Sequence, residues 1–192
     1  MIVQVNKETI ATNNIFFSSD YHLSHNNVLK YDNRPFKTIE EHDEAIINNH
    51  NSVVGKNDVF FFLGDFSFNT KATVLKDFLS RLNGIKFFIK GNHDYNKTIN
   101  SYNEFGTYLG QQSDIVIDYN LENEDNELQH IVLNHFPLRI WNKSYHNSYH
   151  LFGHVHGGLV DKPNGKSMDV GIMLNNYKPF SFKEIKNILD KF

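Results

Sequence analysis

The sequence predicts an α/β fold built in layers within one domain. Short apolar runs alternate with helix-like stretches through the first half of the chain, which is the pattern of strands connected by helices. Polar side chains follow several of these runs directly. A chain of 192 residues can bury a core of its own, so we expect a single domain over residues 1–192.

Apolar, β-branched and aromatic residues mark the expected strands. Short runs of such residues between polar or turn residues are typical of buried strands. Five runs precede the polar motifs described below: Ile15 to Phe17, Val59 to Leu63, Ile85 to Ile89, Ile131 to Leu133 and Tyr149 to Phe152. Ile115 to Tyr119 and Leu128 to Leu133 predict two strands joined by an exposed acidic loop at Glu122 to Glu127.

Capping residues and helical spacing predict two helices in the first half of the chain. Thr38 followed by Glu41 has the spacing of a capping box, which predicts a helix through about His50. A second helix is expected from near Thr70 to Leu82, with Gly84 just past its end. Its apolar face would contain Ala72, Leu75, Phe78, Leu79 and Leu82.

The C-terminal segment predicts a further helix. Ser181 and Glu184 have the spacing of a second capping box. Ile185, Ile188 and Leu189 follow at helical spacing and are expected to face the core.

The composition limits which metal ligands and which binding partners are expected. The chain has no cysteine, so a bound metal would be held by oxygen and imidazole nitrogen. The net charge of -3 disfavours binding to long nucleic acid but leaves a small phosphorylated substrate, such as a nucleotide, open. No leader-like or bilayer-length apolar run is present, so we expect a cytoplasmic protein without a membrane partner. The sequence leaves the oligomeric state open.

Five short motifs carry most of the functional information. They are Asp20-Tyr21-His22, Gly64-Asp65, Gly91-Asn92-His93-Asp94, Asn134-His135 and Gly153-His154-Val155-His156. Each follows a predicted strand. In an α/β sheet the carboxyl ends of the strands open onto one crevice, where residues distant in sequence meet. The motifs therefore predict one polar site.

The residue types in these motifs favour a two-metal centre. Asp20 and His22 are two residues apart, a spacing that points both side chains the same way if the chain stays extended. Asp65 supplies a carboxylate that could bridge two ions about 3.5 to 4 Å apart. Gly64 before it would allow the backbone to approach the site closely.

The remaining motif residues offer ligands for the second ion. Asn92, His135 and His154 provide one amide oxygen and two imidazoles for this ion, and His156 is a candidate ligand of the first ion. A mixed oxygen and nitrogen set suits Mn²⁺, Fe, Zn²⁺, Ni²⁺ or Co²⁺ better than Ca²⁺ or Mg²⁺. Mn²⁺ is our first expectation for the two divalent ions.

In this order, the five motifs resemble the calcineurin-like metallophosphoesterase superfamily. The resemblance extends from roughly Ile15 to Ile185 and is specific because five separated motifs coincide. Asp20 to Leu29, Asn33 to Phe36 and Tyr177 to Pro179 are similar to a small bacterial and phage branch. The resemblance implies a sandwich of two β-sheets flanked by α-helices and a metal-dependent phosphoesterase.

The resemblance also implies individual roles. One ion would be bound by Asp20, His22 and His156, the other by Asn92, His135 and His154, with Asp65 shared. A hydroxide between the ions would attack phosphorus in line. His93 would contact the phosphate or protonate the leaving oxygen, and Asp94 would orient His93.

The substrate is less well defined. Members with the longer second motif have another acid three residues after Gly-Asp, whereas here Asp65 is followed by Phe66-Ser67-Phe68, which argues against analogy to protein phosphatases. We expect phosphodiesters as the preferred substrates. A phosphomonoesterase for a nucleotide or small metabolite is the alternative, and a non-catalytic metal-binding interaction scaffold is the alternative of another class.

Three residues outside the ligand set are predicted as substrate contacts. Arg34 could clamp a phosphate with two hydrogen bonds, or be a surface arginine beside Pro35. His25 could contact the substrate or face solvent, and Asn26 is a further candidate. The histidines expected to be surface or packed residues are His42, His50, His130, His146 and His150.

Overall fold

The structure, a computed structural model, describes residues 2–5, 14–118, 128–159 and 164–192. Its strands form two five-stranded sheets. In chain order they are β1 (Ile2–Val5), β2 (Ile15–Ser18), β3 (Val59–Phe62), β4 (Ile85–Ile89), β5 (Thr107–Gly110), β6 (Gln112–Asp118), β7 (Leu128–Asn134), β8 (Tyr149–Phe152), β9 (Ser167–Asp169) and β10 (Phe180–Ser181).

Both sheets are mixed. The first has the order β1-β6-β7-β8-β9, and only β6 and β7 run antiparallel. The second has the order β10-β2-β3-β4-β5, with β10 antiparallel to four parallel strands. The predicted strands are confirmed within the described residues. Tyr119 and the loop expected at Glu122 to Glu127 lie outside the described residues.

Helices flank the sheets, which confirms the general α/β prediction. The described α-helices are α1 (Val28–Tyr31), α2 (Ile39–Val53), α3 (Ala72–Arg81), α4 (Asn96–Phe105) and α5 (Phe182–Leu189), and a 3₁₀ helix spans Ile172–Asn175. None of the helices in these ranges has the length and hydropathy needed to cross a bilayer.

Two apolar layers cover the faces of the second sheet. Phe17 and Phe61 lie in a buried cluster that includes Ile131 of the first sheet. Phe60 alternates with Phe61 along β3 and lies in a separate cluster with Leu75 of α3. Because both faces of its central strands are buried, these strands are continuous apolar runs rather than alternating ones.

The predicted helix starts are largely confirmed. Thr38 Oγ1 accepts a hydrogen bond from the backbone N–H of Glu41 at 3.2 Å, and α2 begins at the next residue. The carboxylate of Glu41 accepts from the N–H of Lys37 rather than Thr38, so this capping box is one-sided. Ser181 and Glu184 form the complete box.

Two predicted core positions are wrong. Ala72 is exposed, because it is the first residue of α3 and precedes the part that packs on the sheet. Ile188 is 36% exposed, because α5 packs through Ile185 and Leu189, and Ile188 lies beside that narrow stripe. Gly84 follows α3 as predicted, with a φ of +98° that disfavours other residues.

Two buried histidines outside the motifs are neutral bridges between a donor and an acceptor. Nδ1 of His50 accepts from the hydroxyl of Tyr21 at 2.8 Å, and Nε2 of His150 accepts from the N–H of Leu138 at 3.0 Å. The other nitrogen of each ring donates to a backbone carbonyl at 3.0 Å. Burial lowers the pKa of both imidazoles to about 4.

These histidines make folding sensitive to mild acid. Below the unfolded-state pKa of about 6.5, the unfolded chain binds protons that the folded protein does not, so stability falls from about pH 6.5 to about pH 4. We expect wild type to lose about 2 kcal/mol more of its free energy of unfolding than His150→Gln between pH 7 and pH 5, measured by urea unfolding. His146→Gln, at an exposed position, should follow wild type. If the free energy of unfolding depends on pH in the same way in wild type and His150→Gln, the lowered pKa assigned to His150 is contradicted.

Candidate metal centre

The predicted ligands lie in loops that follow parallel strands. The loops after β2, β3 and β4 of the second sheet meet those after β7 and β8 of the first. They bring together Asp20, His22, Asp65, Asn92, His135, His154 and His156. The convergence expected from the strand ends is therefore present.

A left-handed backbone recurs at these positions. The ligand candidates with positive φ are Asp20 (58°), His22 (51°), Asp65 (62°), His154 (71°) and His156 (47°). Each costs about 1–2 kcal/mol for a residue with a Cβ. Such strain clusters at functional sites. It also corrects the extended chain assumed between Asp20 and His22, since β2 ends at Ser18.

Asp20, His22 and His156 form the first group. Nε2 of His22 lies 3.2 Å from Nε2 of His156 and 3.9 Å from Oδ1 of Asp20. Nε2 of His156 lies 3.5 Å from the same carboxylate oxygen. One ligand atom from each residue lies within 4.8 Å of the others, close enough to hold one ion.

Asp65, Asn92, His135 and His154 form the second group. Nε2 of His135 lies 3.4 Å from Oδ2 of Asp65 and 2.9 Å from Oδ1 of Asn92. Nδ1 of His154 lies 2.8 Å from the same amide oxygen. Oδ2 of Asp65 is also 3.7 Å from Nε2 of His22, which places this carboxylate between the groups.

Hydrogen bonds on the outer side of two imidazoles set their tautomers. Nδ1 of His156 lies 2.7 Å from Oδ2 of Asp32, and Nδ1 of His135 lies 2.8 Å from the carbonyl oxygen of Leu63. Both partners accept, so each Nδ1 donates its hydrogen and each Nε2 faces inward, where it offers a lone pair once its proton is lost. Inward lone pairs and carboxylate oxygens at these distances repel unless positive charge lies among them. The residues therefore fit divalent metal ions.

The charges within the site also favour cations. Burial alone would raise the pKa of Asp20, but His156 and His135 lower it to about 2. Burial alone would lower the pKa of His156, but Asp20 and Asp32 raise it to about 10. Asp65 and Asp20 likewise raise the pKa of His135 against burial. Metal ions that bind here would displace these protons.

Two motif glycines make room for the ligands. Gly64 has a φ of +96°, and a Cβ on it would lie 2.4 Å from the backbone nitrogen of Gly91 and 2.9 Å from Nδ1 of His135. A Cβ on Gly153 would lie 2.4 Å from Oδ2 of Asp20. The close backbone approach predicted at Gly64 is confirmed.

Asp32 is a functional candidate that the sequence analysis missed. Its Oδ2 accepts from Nδ1 of His156 and from Nε of Arg34, at 2.7 and 3.2 Å. A carboxylate behind a metal-binding imidazole fixes the ring orientation and makes the ring a stronger ligand. The only sequence signal was its position next to the Asn33 to Phe36 stretch.

Arg34 is not placed to contact a substrate, which corrects its predicted role. Its side chain is fully buried, and all five N–H donors are used within the protein. They reach Oδ2 of Asp32 twice, the carbonyls of Asp20 and Tyr21, and Nε2 of His42. Arg34 therefore positions the loop that carries Asp20 and His22.

Asp94 also differs from its predicted role. Its buried carboxylate accepts from the backbone N–H groups of Gly91, Asp65 and Phe66, at 2.9, 3.0 and 3.1 Å. Burial raises its pKa. Asp94 ties the third motif to the second rather than orienting the His93 ring.

A cleft of about 790 Å³, open to solvent, lies beside the ligands. His93 lines it with a partly exposed side chain, and its Nε2 is 4.0 Å from Oδ2 of Asp65. His25 lines it as well. Asn26 does not, because it faces a separate surface pocket and Asn27 lines the cleft instead.

His42, His50 and His150 are buried away from the cleft, and His146 is exposed.

Comparisons with known proteins identify relatives without a stated activity. No model of a known protein family matches the chain. The crystal structure of the protein of unknown function AQ665 from Aquifex aeolicus has a similar fold, with a TM-score of 0.65 and 24% identity, covering 92% of this chain and 100% of that one. Gene 66 protein of Mycobacterium phage L5 is 37% identical over 83 residues, 42% of this chain and 40% of the phage protein. Uncharacterized protein MJ1445 of Methanocaldococcus jannaschii is 33% identical over 183 residues, 92% of both chains. The chain therefore belongs to the same protein family as MJ1445.

Proposed function

We propose that the protein is a metal-dependent hydrolase of phosphate esters within the calcineurin-like metallophosphoesterase superfamily. The order of the five motifs supports this membership, as do the two mixed sheets with ligand loops at one edge. Two divalent ions, Mn²⁺ first, would be held by the two groups described above, with Asp65 shared between them.

The observation that carries the proposal is the convergence of inward-facing imidazole nitrogens and carboxylates next to the accessible imidazole of His93. Divalent ions bound there would polarise a phosphate and make hydroxide available at neutral pH. The backbone N–H of His93 donates to Oδ1 of Asp65 at 2.8 Å, which fixes the position of this residue at the cleft. Its exposed ring can then contact phosphate or donate a proton to the leaving oxygen.

The charge of the cleft favours phosphodiesters over monoesters. Among the described residues that line it, none is Lys or Arg. A monoester carries about two negative charges at neutral pH. Its second charge would be stabilised by a Lys or Arg side chain in addition to the metal ions. A diester carries a single charge and needs no such side chain. Phosphomonoester hydrolysis remains the alternative activity.

His93→Ala tests the catalytic role. We expect it to retain both metal ions and to lose kcat about 10²- to 10⁴-fold on a diester with a poorly stabilised leaving group, such as an alkyl oxygen. The loss should be much smaller for a p-nitrophenyl diester, because p-nitrophenolate leaves without a proton. The measurements are metal content and kcat on both substrates.

His146→Ala, which removes an exposed histidine outside the cleft, is the matched control and should keep wild-type turnover. Equal losses on both substrates in His93→Ala would assign His93 to phosphate contact alone. Unchanged kcat on both would remove it from the reaction.

A further inference from the structure

One wall of the cleft carries exposed aromatic rings, unlike the buried Phe residues of the strands. Phe68 is 50% exposed and Tyr31 is 74% exposed, and both line the cleft with His25. The rings of His25 and Phe68 are stacked, with centroids 4.1 Å apart and planes 7° apart. Tyr31 meets His25 edge-on, at 6.4 Å and 72°. We call His25, Tyr31 and Phe68 the aromatic wall.

Backbone contacts hold Phe68 in its exposed position. Its N–H donates to the carbonyl of Leu23 at 2.9 Å, and Oγ of Ser67 donates to the same oxygen at 3.0 Å. Leu23 and Ser67 also pair as a parallel β-bridge. A ligand can therefore cover this apolar ring with little loss of backbone entropy.

The aromatic wall adjoins the polar side of the cleft. The ring of His25 lies 5.5 Å from that of His22, and the ring of Phe68 lies 5.7 Å from that of His93. A molecule lying flat on Phe68 would have its attached groups beside the metal ligands. The cleft thus combines an apolar planar surface with a site that attracts anions once metals are bound. This combination fits a molecule with a planar ring and a phosphate.

We propose that the aromatic wall stacks a nucleobase, so that the substrates of the cleft are nucleotide esters. The inference rests on the proposed function for the position of the phosphate. Aromatic side chains stack on any base, so the wall recognises nucleotides as a class. Alkyl and sugar phosphates lack the planar ring. The absence of Lys and Arg from the described cleft lining argues against binding along the backbone of long nucleic acid.

The test is calorimetric binding of adenosine 5′-monophosphate and ribose 5-phosphate to the Mn²⁺-loaded protein. The two compounds share the ribose and the 5-phosphate, and C1 of the sugar carries adenine in one and a hydroxyl in the other. We expect the nucleotide to bind about tenfold or more tightly. Phe68→Ala should bring the two Kd values within about twofold by weakening the nucleotide, and so should Phe68→Leu, which keeps apolar area without a ring. Tyr145→Ala removes an 83% exposed tyrosine outside the described cleft lining and should leave the preference unchanged.

Equal affinity of wild type for both compounds would overturn the inference. A nucleotide preference that survives Phe68→Ala would also overturn it, as would a lack of measurable binding of either compound. Because binding and turnover are separate measurements, the inference and the proposed function fail separately. If the protein prefers the nucleotide through Phe68 but hydrolyses no phosphate ester, base stacking on the aromatic wall is supported and the proposed hydrolase activity is rejected. If the protein hydrolyses bis-p-nitrophenyl phosphate but shows no preference for the nucleotide, the hydrolase activity is supported and base stacking is rejected.

Discussion

Asp65→Asn is expected to lose bound metal and turnover together, with kcat/KM for a phosphodiester falling about 10³-fold or more. Oδ2 of Asp65 faces the imidazoles of both ligand groups, His22 at 3.7 Å and His135 at 3.4 Å. An amide at this position removes the negative charge shared by the two groups. The measurements are metal content after dialysis, metal affinity by calorimetry, and kcat/KM.

The fold should survive this substitution. Asn has the shape of Asp, and its amide oxygen can still accept the His93 N–H that Oδ1 of Asp65 accepts at 2.8 Å. Asp77→Asn, at an exposed carboxylate on α3, is the matched control and should retain both ions and full turnover. Wild-type metal affinity and turnover in Asp65→Asn would show that Asp65 does not bridge two ions.

Arg34→Ala is expected to lower the free energy of unfolding by about 3–5 kcal/mol. The buried guanidinium satisfies the carboxylate of Asp32, two backbone carbonyls and Nε2 of His42. Its removal leaves the two carbonyls and Nε2 of His42 without this donor, and the carboxylate of Asp32 keeps only its hydrogen bond from His156. Buried polar groups that lose their partners are costly, and a buried charge that loses its counter-charge costs most. Urea unfolding at neutral pH measures the change.

Two further variants sharpen this prediction. Arg139→Ala, at an exposed arginine, should change stability by less than about 0.5 kcal/mol. Arg34→Lys keeps the charge, but one ammonium cannot reach all the acceptors. We expect the folded Lys variant to bind metal about 10- to 100-fold more weakly, because Asp32 no longer holds His156 in place. Wild-type stability in Arg34→Ala would mean that the network around Arg34 contributes little.

The sequence predicted the candidate ligands because each follows an apolar run that could only be a buried strand. Neighbouring parallel strands end at a common edge of a sheet, so Asp20 after β2 and Asp65 after β3 lie close together whatever the course of their loops. His135 follows β7 of the other sheet, and the packing of the two sheets brings it to Asp65. The backbone conformation was not predictable in this way. Positive φ at Asp20 and His156 belongs to the loops that follow β2 and β8, and the apolar pattern of the strands does not indicate it.

The supporting residues were predicted less well because their partners depend on the course of the loops. Arg34 has the chemistry of a phosphate ligand, but its buried acceptors come from three separate parts of the chain. Asp94 follows His93 directly, yet its carboxylate turns to backbone N–H groups. Phe68 belongs to a residue type that is normally buried, and the paired backbone at Ser67 holds it in its exposed position.

The most direct test of the central claim is hydrolysis by metal-stripped wild-type protein titrated with Mn²⁺, with bis-p-nitrophenyl phosphate and p-nitrophenyl phosphate as parallel substrates. We expect two ions per chain by calorimetry, no turnover without metal, and full turnover when the second equivalent is bound. Cleavage of the diester should exceed that of the monoester. Two bound ions with no turnover of either substrate, or no metal binding at all, would contradict the assignment of a two-metal phosphoesterase.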